Sequence, residues 1–184
     1  SEVEETLREI KEDIKRSKKE WDDLLKTIKE LIEDSKRKWD KLLRDVEELI
    51  RELLERLRRD GPTEEIDRTV KKIIDDVEEL LRKLEKDDRD ADERIDRLVK
   101  ELVERDKRSL DKLKERLDKL KDRVPDRAER DVERIIREAK KLTDKVREDV
   151  ERLREEWERL VREVKERIKR LLEDLRRLVE ETRR

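Results

Sequence analysis

The stretch "WDDLLKTIKELIEDSKRK", residues 21–38, is followed directly by "WDKLLRDVEELI", residues 39–50, which starts the same apolar pattern again. The pattern therefore returns after eighteen residues. Eighteen residues complete five turns of an α-helix at 3.6 residues per turn, so a residue and its counterpart in the next repeat lie on the same face. The stretch predicts one long helix whose buried face is used more than once.

The same eighteen-residue interval continues through the rest of the chain. A seven-residue repeat winds helices into a left-handed supercoil and an eleven-residue repeat into a right-handed one, whereas eighteen residues impose neither. We therefore expect long, nearly straight helices. The aligned apolar columns include Val3/Trp21/Trp39, Leu7/Leu25/Leu43, Ile10/Ile28/Val46, Ile14/Ile32/Ile50, Ile66/Leu84/Leu102/Leu120 and Val132/Val150/Ile168.

Two short segments interrupt the repeat. In "RRDGPTEE", Gly61 closes one helix and Thr63 caps the next. In "KDRVPDRAER", Pro125 prevents continuation, and Asp126 with Glu129 forms a capping box. The predicted helices therefore cover residues of about 1–60, 63–123 and 126–183.

The number of helices and their wide apolar faces predict the fold. Doubled apolar positions such as Leu24-Leu25 and Leu80-Leu81 give each helix a face broad enough to contact two neighbours. Short connections make consecutive helices antiparallel. The predicted fold class is all-α, a single-chain antiparallel up-down-up three-helix bundle of long, nearly straight helices. We expect it to form one domain over residues 1–184.

The composition argues against an enzyme. Charged residues make up 62% of the chain, and Cys, His, Met, Phe, Tyr, Asn and Gln are absent. Without His and Cys there can be no imidazole base, no thiolate nucleophile and no His or Cys metal site. A single Gly rules out a glycine-rich phosphate loop. The sequence predicts no catalytic residue, no cofactor and no metal site.

The charge pattern also predicts no macromolecular partner. The chain has 56 basic and 58 acidic residues without a basic patch, so we expect no nucleic-acid binding. Its longest apolar runs are pairs, so we expect no membrane span. The prediction is a soluble monomer with no natural compartment, cytoplasmic in recombinant expression. A homo-oligomer, or a module that binds a helix through apolar bundle edges, is the alternative.

The restricted alphabet, the near-equal helices, the "DGPTEE" and "VPDR" loops and the eighteen-residue core repeat occur together. In this combination the sequence resembles parametrically designed, de novo helical bundles, and the resemblance covers the whole chain. It implies an idealised, hyperstable and monomeric scaffold without an assigned activity.

Polar residues inside the apolar pattern form the candidate site. Ser17 and Ser35 interrupt helix 1, Asp88 and Asp106 interrupt helix 2, and each pair is eighteen residues apart. One interpretation is two buried polar layers, in which indole N–H and hydroxyl groups satisfy the carboxylates. The other is that both aspartates lie at the edge of the stripe and face water. The candidate residues are Ser17, Trp21, Asp106 and Thr143 in one layer and Ser35, Trp39, Asp88 and Trp157 in the other.

The three tryptophans allow two interpretations of their own. They could form an aromatic box for a ligand, but their spacing at core positions favours a packing role.

Overall fold

The computed structural model describes residues 2–120 and 126–183, and these form three long helices without a strand among them. The prediction of an all-α fold is confirmed. The predicted end of helix 2 near residue 123 and the loop at Pro125 lie outside the described residues. The helices are α1 (Glu2–Asp60), α2 (Glu64–Leu120) and α3 (Asp126–Arg183).

The turn between α1 and α2 is built from one glycine and one capping threonine. Gly61 has φ of 69°, the left-handed conformation that only glycine adopts at little cost, and its N–H donates to the Leu57 carbonyl at 3.0 Å. The Thr63 hydroxyl accepts from the backbone N–H of Ile66 at 3.2 Å, and the Thr63 carbonyl accepts from Asp67 at 3.1 Å. These bonds satisfy backbone groups that the helix ends would otherwise leave unpaired.

The chain divides into two compact units, and each contains a segment of all three helices. Unit 1 comprises Ser1–Glu30 and Glu93–Arg154. Unit 2 comprises Leu31–Asp92 and Glu155–Arg184. The prediction of a single domain over residues 1–184 stays a prediction, and so does the absence of a supercoil.

Within each unit, consecutive helices run antiparallel, because residue numbers rise along one helix as they fall along the next. Between α1 and α2 the pairs that show this direction are Glu9–Arg116 and Glu20–Arg105 in unit 1, and Lys38–Asp87 and Arg56–Glu65 in unit 2. Between α2 and α3 they are Asp96–Arg154 in unit 1, where Leu110 and Ile135 also line one cavity, and Asp67–Thr182 and Asp88–Trp157 in unit 2. Each unit is therefore an antiparallel, up-down-up bundle of three helical segments.

The repeated apolar face becomes the core of each unit. Every described member of the aligned columns is buried or half-buried, as one face of a regular helix requires. In unit 2, Leu43, Val77 and Ile168 belong to one large cluster and are each 0% exposed. In unit 1, Ile10 and Ile135 pack together at the centre of a smaller cluster. Burial of apolar surface at about 25 cal/mol per Å² is the main force that holds both cores together.

Candidate functional site

Polar cluster 1 lies in unit 1 and consists of Ser17, Trp21 and Asp106. The Ser17 hydroxyl donates to Asp106 Oδ1 at 3.2 Å, and the Trp21 indole N–H donates to Asp106 Oδ2 at 2.5 Å. Ser17 and Trp21 reach the same carboxylate because they are one helical turn apart on α1. The Trp21 side chain is almost fully buried, at 1% exposed. Its N–H would lose this hydrogen bond if Asp106 did not lie beside it.

Thr143, the fourth residue predicted for this layer, makes a different bond. Its hydroxyl donates to the Ala139 carbonyl at 3.1 Å, one turn earlier in α3, and not to Asp106. Threonine often bonds the carbonyl four residues before it in a helix, because its short side chain brings the hydroxyl close to that oxygen. Thr143 and Asp106 do line one cavity. The structure thus places Thr143 beside polar cluster 1 without joining it.

Polar cluster 2 lies in unit 2 and contains Ser35, Trp39, Asp88 and Trp157. The structure joins only two of them, since the Trp157 indole N–H donates to Asp88 Oδ1 at 2.8 Å. Trp39 is 1% exposed, and its indole N–H has no hydrogen-bond partner among the described residues. The Ser35 hydroxyl makes none of the side-chain bonds seen in the described part of the chain. The indole that reaches Asp88 therefore comes from α3, whereas the one that reaches Asp106 comes from α1.

The two aspartates are neither buried nor fully exposed. Both are half-buried, and no polar or charged side chain is buried within the described ranges. One interpretation of the sequence buried both aspartates and the other exposed them to water, so the half-buried position lies between the two. Each carboxylate keeps part of its hydration while it accepts hydrogen bonds from the protein, so its desolvation cost is smaller than for a buried ion.

Arg167 forms a contact between α3 and α1 that the sequence analysis missed. Its guanidinium donates to Asp40 Oδ1 at 3.0 Å and to Glu47 Oε1 at 3.2 Å. The signal was present in the sequence, since Asp40 and Glu47 are two helical turns apart on α1. Without the register of α3, however, any of several arginines could have been their partner.

The ion pairs of Arg167 stabilise its charged form. Burial alone lowers the pKa of Arg167, but the hydrogen bonds to Asp40 and Glu47 outweigh burial, so the pKa lies above its usual value. A raised pKa of this kind contributes stability below the usual value and loses it only as the pH rises through the raised one. The arginine therefore stays charged at any pH in ordinary use.

Asp106→Leu should destabilise the protein, because it removes the acceptor of two donors. The buried Trp21 N–H would be left unpaired, at a cost of about 1–3 kcal/mol in the free energy of unfolding. Guanidinium unfolding followed by circular dichroism measures the loss. Asp111→Leu is the matched control, since Asp111 is exposed on the same helix and should change stability by less than about 0.5 kcal/mol. An Asp106→Leu protein as stable as the parent would show that the two bonds contribute nothing.

No group of three or more His, Cys, Asp or Glu in the described ranges is placed to hold a metal ion. None of the described helices is both long and apolar enough to cross a membrane. Where the structure joins members of the polar clusters to one another, it does so by hydrogen bonds between helices.

No protein-family model matches the sequence, and no curated protein matches it. Among solved structures, the chain is similar to one described as a "Computationally designed three helix bundle". The two sequences are 20% identical, the similarity covers 99% of this chain and 90% of that chain, and the TM-score is 0.44.

Proposed function

We propose that this protein is a de novo designed structural scaffold that folds into a hyperstable helical framework and catalyses no reaction. The observation that carries the proposal is the restricted alphabet, in which 184 residues omit seven amino-acid types. The omitted types include Met, which packs without a defined shape, and Cys, which reacts when exposed. The positions that remain are filled mainly with strong helix formers.

The eighteen-residue repeat supports the same proposal. A repeat that matches 3.6 residues per turn allows the same core layer to be stacked without changing the helix. We propose that the helices follow this repeat without supercoiling. The glycine and threonine of the α1–α2 turn agree with an idealised design, because they supply the helix stop and the helix cap in the shortest form.

The polar clusters fit a role in specificity. Asp106 can meet Ser17 and Trp21 only if α1 and α2 pair in one register, whereas apolar stripes alone tolerate several. In a displaced register the Trp21 N–H would lose its acceptor, and the Asp106 carboxylate would lose that donor. We propose that these bonds select one arrangement of the helices and contribute little to binding or chemistry.

High stability is the first expected result. We expect cooperative unfolding above about 90 °C, or beyond about 5 M guanidinium chloride, which are the usual marks of a hyperstable domain. Circular dichroism at about 222 nm, which reports helix content, measures both transitions. A midpoint near about 60 °C, typical of natural mesophilic domains, would contradict the proposal.

A homo-oligomer or helix-binding module is the alternative function, and one exposed residue bears on it. Leu49 is the large apolar side chain that remains 46% exposed among the described residues. Single exposed leucines are normal on monomeric proteins, so we propose a monomer. Light scattering over a range of concentrations should give 22.8 kDa throughout. A mass that rises with concentration and returns to the monomer in Leu49→Glu would favour the alternative.

A further inference from the structure

We propose that unit 1 binds a structural water molecule beside polar cluster 1, and that this water joins Asp106 of α2 to Thr143 of α3. The site is carried by the differences between the two units, by a cavity and by the hydrogen-bonding groups around it. The inference does not depend on the proposed function, because a bound water requires only the local structure of unit 1.

The eighteen-residue repeat relates the sequences of the two units position by position. Moving eighteen residues back along α1 and α3, and eighteen forward along the antiparallel α2, assigns each position of unit 2 to one of unit 1. Asp88 then corresponds to Asp106, and Trp39 corresponds to Trp21. Each of the two carboxylates accepts a hydrogen bond from an indole N–H. The surroundings of the two aspartates can therefore be compared directly.

Three positions around these carboxylates differ in polarity between unit 2 and unit 1. The pairs, with the residue of unit 2 first, are Trp157/Ala139, Ala91/Ser109 and Val161/Thr143. Unit 1 thus lacks the indole ring and its N–H donor, but it has two hydroxyl groups where unit 2 has only hydrocarbon. The loss of a large ring together with a gain of hydroxyl groups is what a hydrated site requires, since a bound water needs both space and polar partners.

A cavity of about 40 Å³ lies beside Ala139 in unit 1. The polar side chains in its lining are Asp13, Ser17, Asp106, Ser109 and Thr143. One water molecule takes up ~30 Å³ in the liquid, so the cavity has room for one or two waters and not for a ligand of several heavy atoms. A second cavity, of about 20 Å³, is lined by Lys114 and apolar side chains and so offers a water fewer partners.

Three groups around the larger cavity have unused hydrogen-bonding capacity. Each oxygen of Asp106 accepts one hydrogen bond, whereas a carboxylate oxygen has two acceptor sites. The Thr143 hydroxyl donates its proton to the Ala139 carbonyl, but its oxygen can still accept. The Ser109 hydroxyl makes none of the side-chain hydrogen bonds seen in the described part of the chain, so its proton is available.

A single water can use all three groups at once. It donates one proton to a carboxylate oxygen of Asp106 and the other to Thr143 Oγ1, and it accepts the proton of the Ser109 hydroxyl. Three hydrogen bonds are the usual number for a water inside a protein. All three partners are half-buried, so the water is held in place and still exchanges with solvent.

This water gives unit 1 the link between α2 and α3 that unit 2 makes directly. In unit 2 the Trp157 indole N–H donates to Asp88 at 2.8 Å. In unit 1 the corresponding link runs from Asp106 through the water to Thr143. A bridging water is enthalpically nearly as good as a direct hydrogen bond. Polar cluster 1, which by its direct bonds joins only α1 and α2, is thereby extended to all three helical segments of the unit.

A crystal structure at a resolution that shows ordered water tests the site directly. We expect one water whose oxygen lies about 2.5–3.0 Å from a carboxylate oxygen of Asp106, from Ser109 Oγ and from Thr143 Oγ1. The proposal is overturned if the cavity holds no ordered water, if the water there does not reach both Asp106 and Thr143, or if the density belongs to a cation.

A double-mutant cycle tests the same water in solution. Ser109→Ala and Thr143→Val each remove one hydroxyl and leave a side chain of similar shape. The two hydroxyls lie on different helices and share the water, so the second removal should cost less once the first has been made. The rise in the unfolding equilibrium constant of the double variant should therefore be at least about threefold smaller than the product of the two single rises. Guanidinium unfolding measures all four proteins.

Thr27→Val combined with Ser109→Ala is the matched control cycle. The Thr27 hydroxyl donates to the Asp23 carbonyl four residues earlier, as the Thr143 hydroxyl does to Ala139, but Thr27 is exposed and lines neither cavity. The effects of Thr27→Val and Ser109→Ala should multiply. Independent effects of Ser109→Ala and Thr143→Val would overturn the proposal, and so would equal coupling in the two cycles.

Discussion

Replacing Trp157 by alanine is expected to lower the free energy of unfolding by about 3–5 kcal/mol, the usual cost of truncating a buried aromatic ring. The ring is 2% exposed, and its removal leaves a cavity against which the helices of unit 2 cannot fully collapse. The Asp88 carboxylate also loses its donor, but it is half-buried and can take up water. The lost packing therefore dominates the effect. Guanidinium unfolding followed by circular dichroism measures it.

Trp157→Phe is the matched control, because it keeps a six-membered aromatic ring but removes the N–H and part of the indole. Its loss should be smaller than that of the alanine variant, about 1–3 kcal/mol, since one hydrogen bond and only part of the buried ring are lost. Asp88 is then free to accept from Trp39, whose N–H is unpartnered among the described residues. The Trp39 indole proton should consequently shift downfield. If the alanine variant is no less stable than the phenylalanine variant, the ring is not packed as the structure has it.

Ile168→Asp should have a still larger effect, with a loss of at least about 5 kcal/mol or no folded protein at all. Ile168 is 0% exposed in the central cluster of unit 2. The substitution removes a core side chain and places a carboxylate where no buried polar group of the described chain lies nearby. An isolated charge in such surroundings costs several kcal/mol, even after it takes up a proton.

Lys169→Asp is the control for this experiment. Lys169 is the next residue of α3 and is exposed, so the same new side chain should change stability by less than about 0.5 kcal/mol. Thermal unfolding and guanidinium titration of both variants give the comparison. Equal stability of Ile168→Asp and Lys169→Asp would show that position 168 does not belong to the core.

Turn chemistry and periodicity account for what the sequence predicts of the fold. Gly61 and Thr63 were expected to end one helix and cap the next, and the structure has a glycine of positive φ and a threonine cap there. The apolar columns place the same face inward along each helix, because the helix period is a local property of the backbone. The division into two compact units was not predicted, since periodic columns alone do not divide a helix into separate units.

The candidate site shows where sequence reasoning stops. The predicted polar layers grouped Ser17 with Asp106, and a hydrogen bond of 3.2 Å joins them. Which indole reaches Asp88 depends on side-chain rotamers and on helix rotation by a few tens of degrees, and neither is written in the spacing of the residues. Thr143 was predicted to belong to the layer of Asp106, but its hydroxyl can bond its own helix or a neighbouring one, and in the structure it bonds its own.

The turn at Gly61 also has a consequence for the order in which unit 2 assembles. The entropy cost of closing a loop grows with the logarithm of its length, so contacts near a turn form first. Arg56 and Glu65 flank the turn directly, and Lys38 meets Asp87 across 49 residues, whereas Asp40 meets Arg167 across 127. The contacts of the α1–α2 hairpin can therefore form in order outward from Gly61, because each contact shortens the loop that the next one must close. The contacts of the α3 segment of unit 2 close longer loops, of 69 residues for Asp88 and Trp157 and of 127 for Asp40 and Arg167, so we expect them to form after the first contacts of the hairpin.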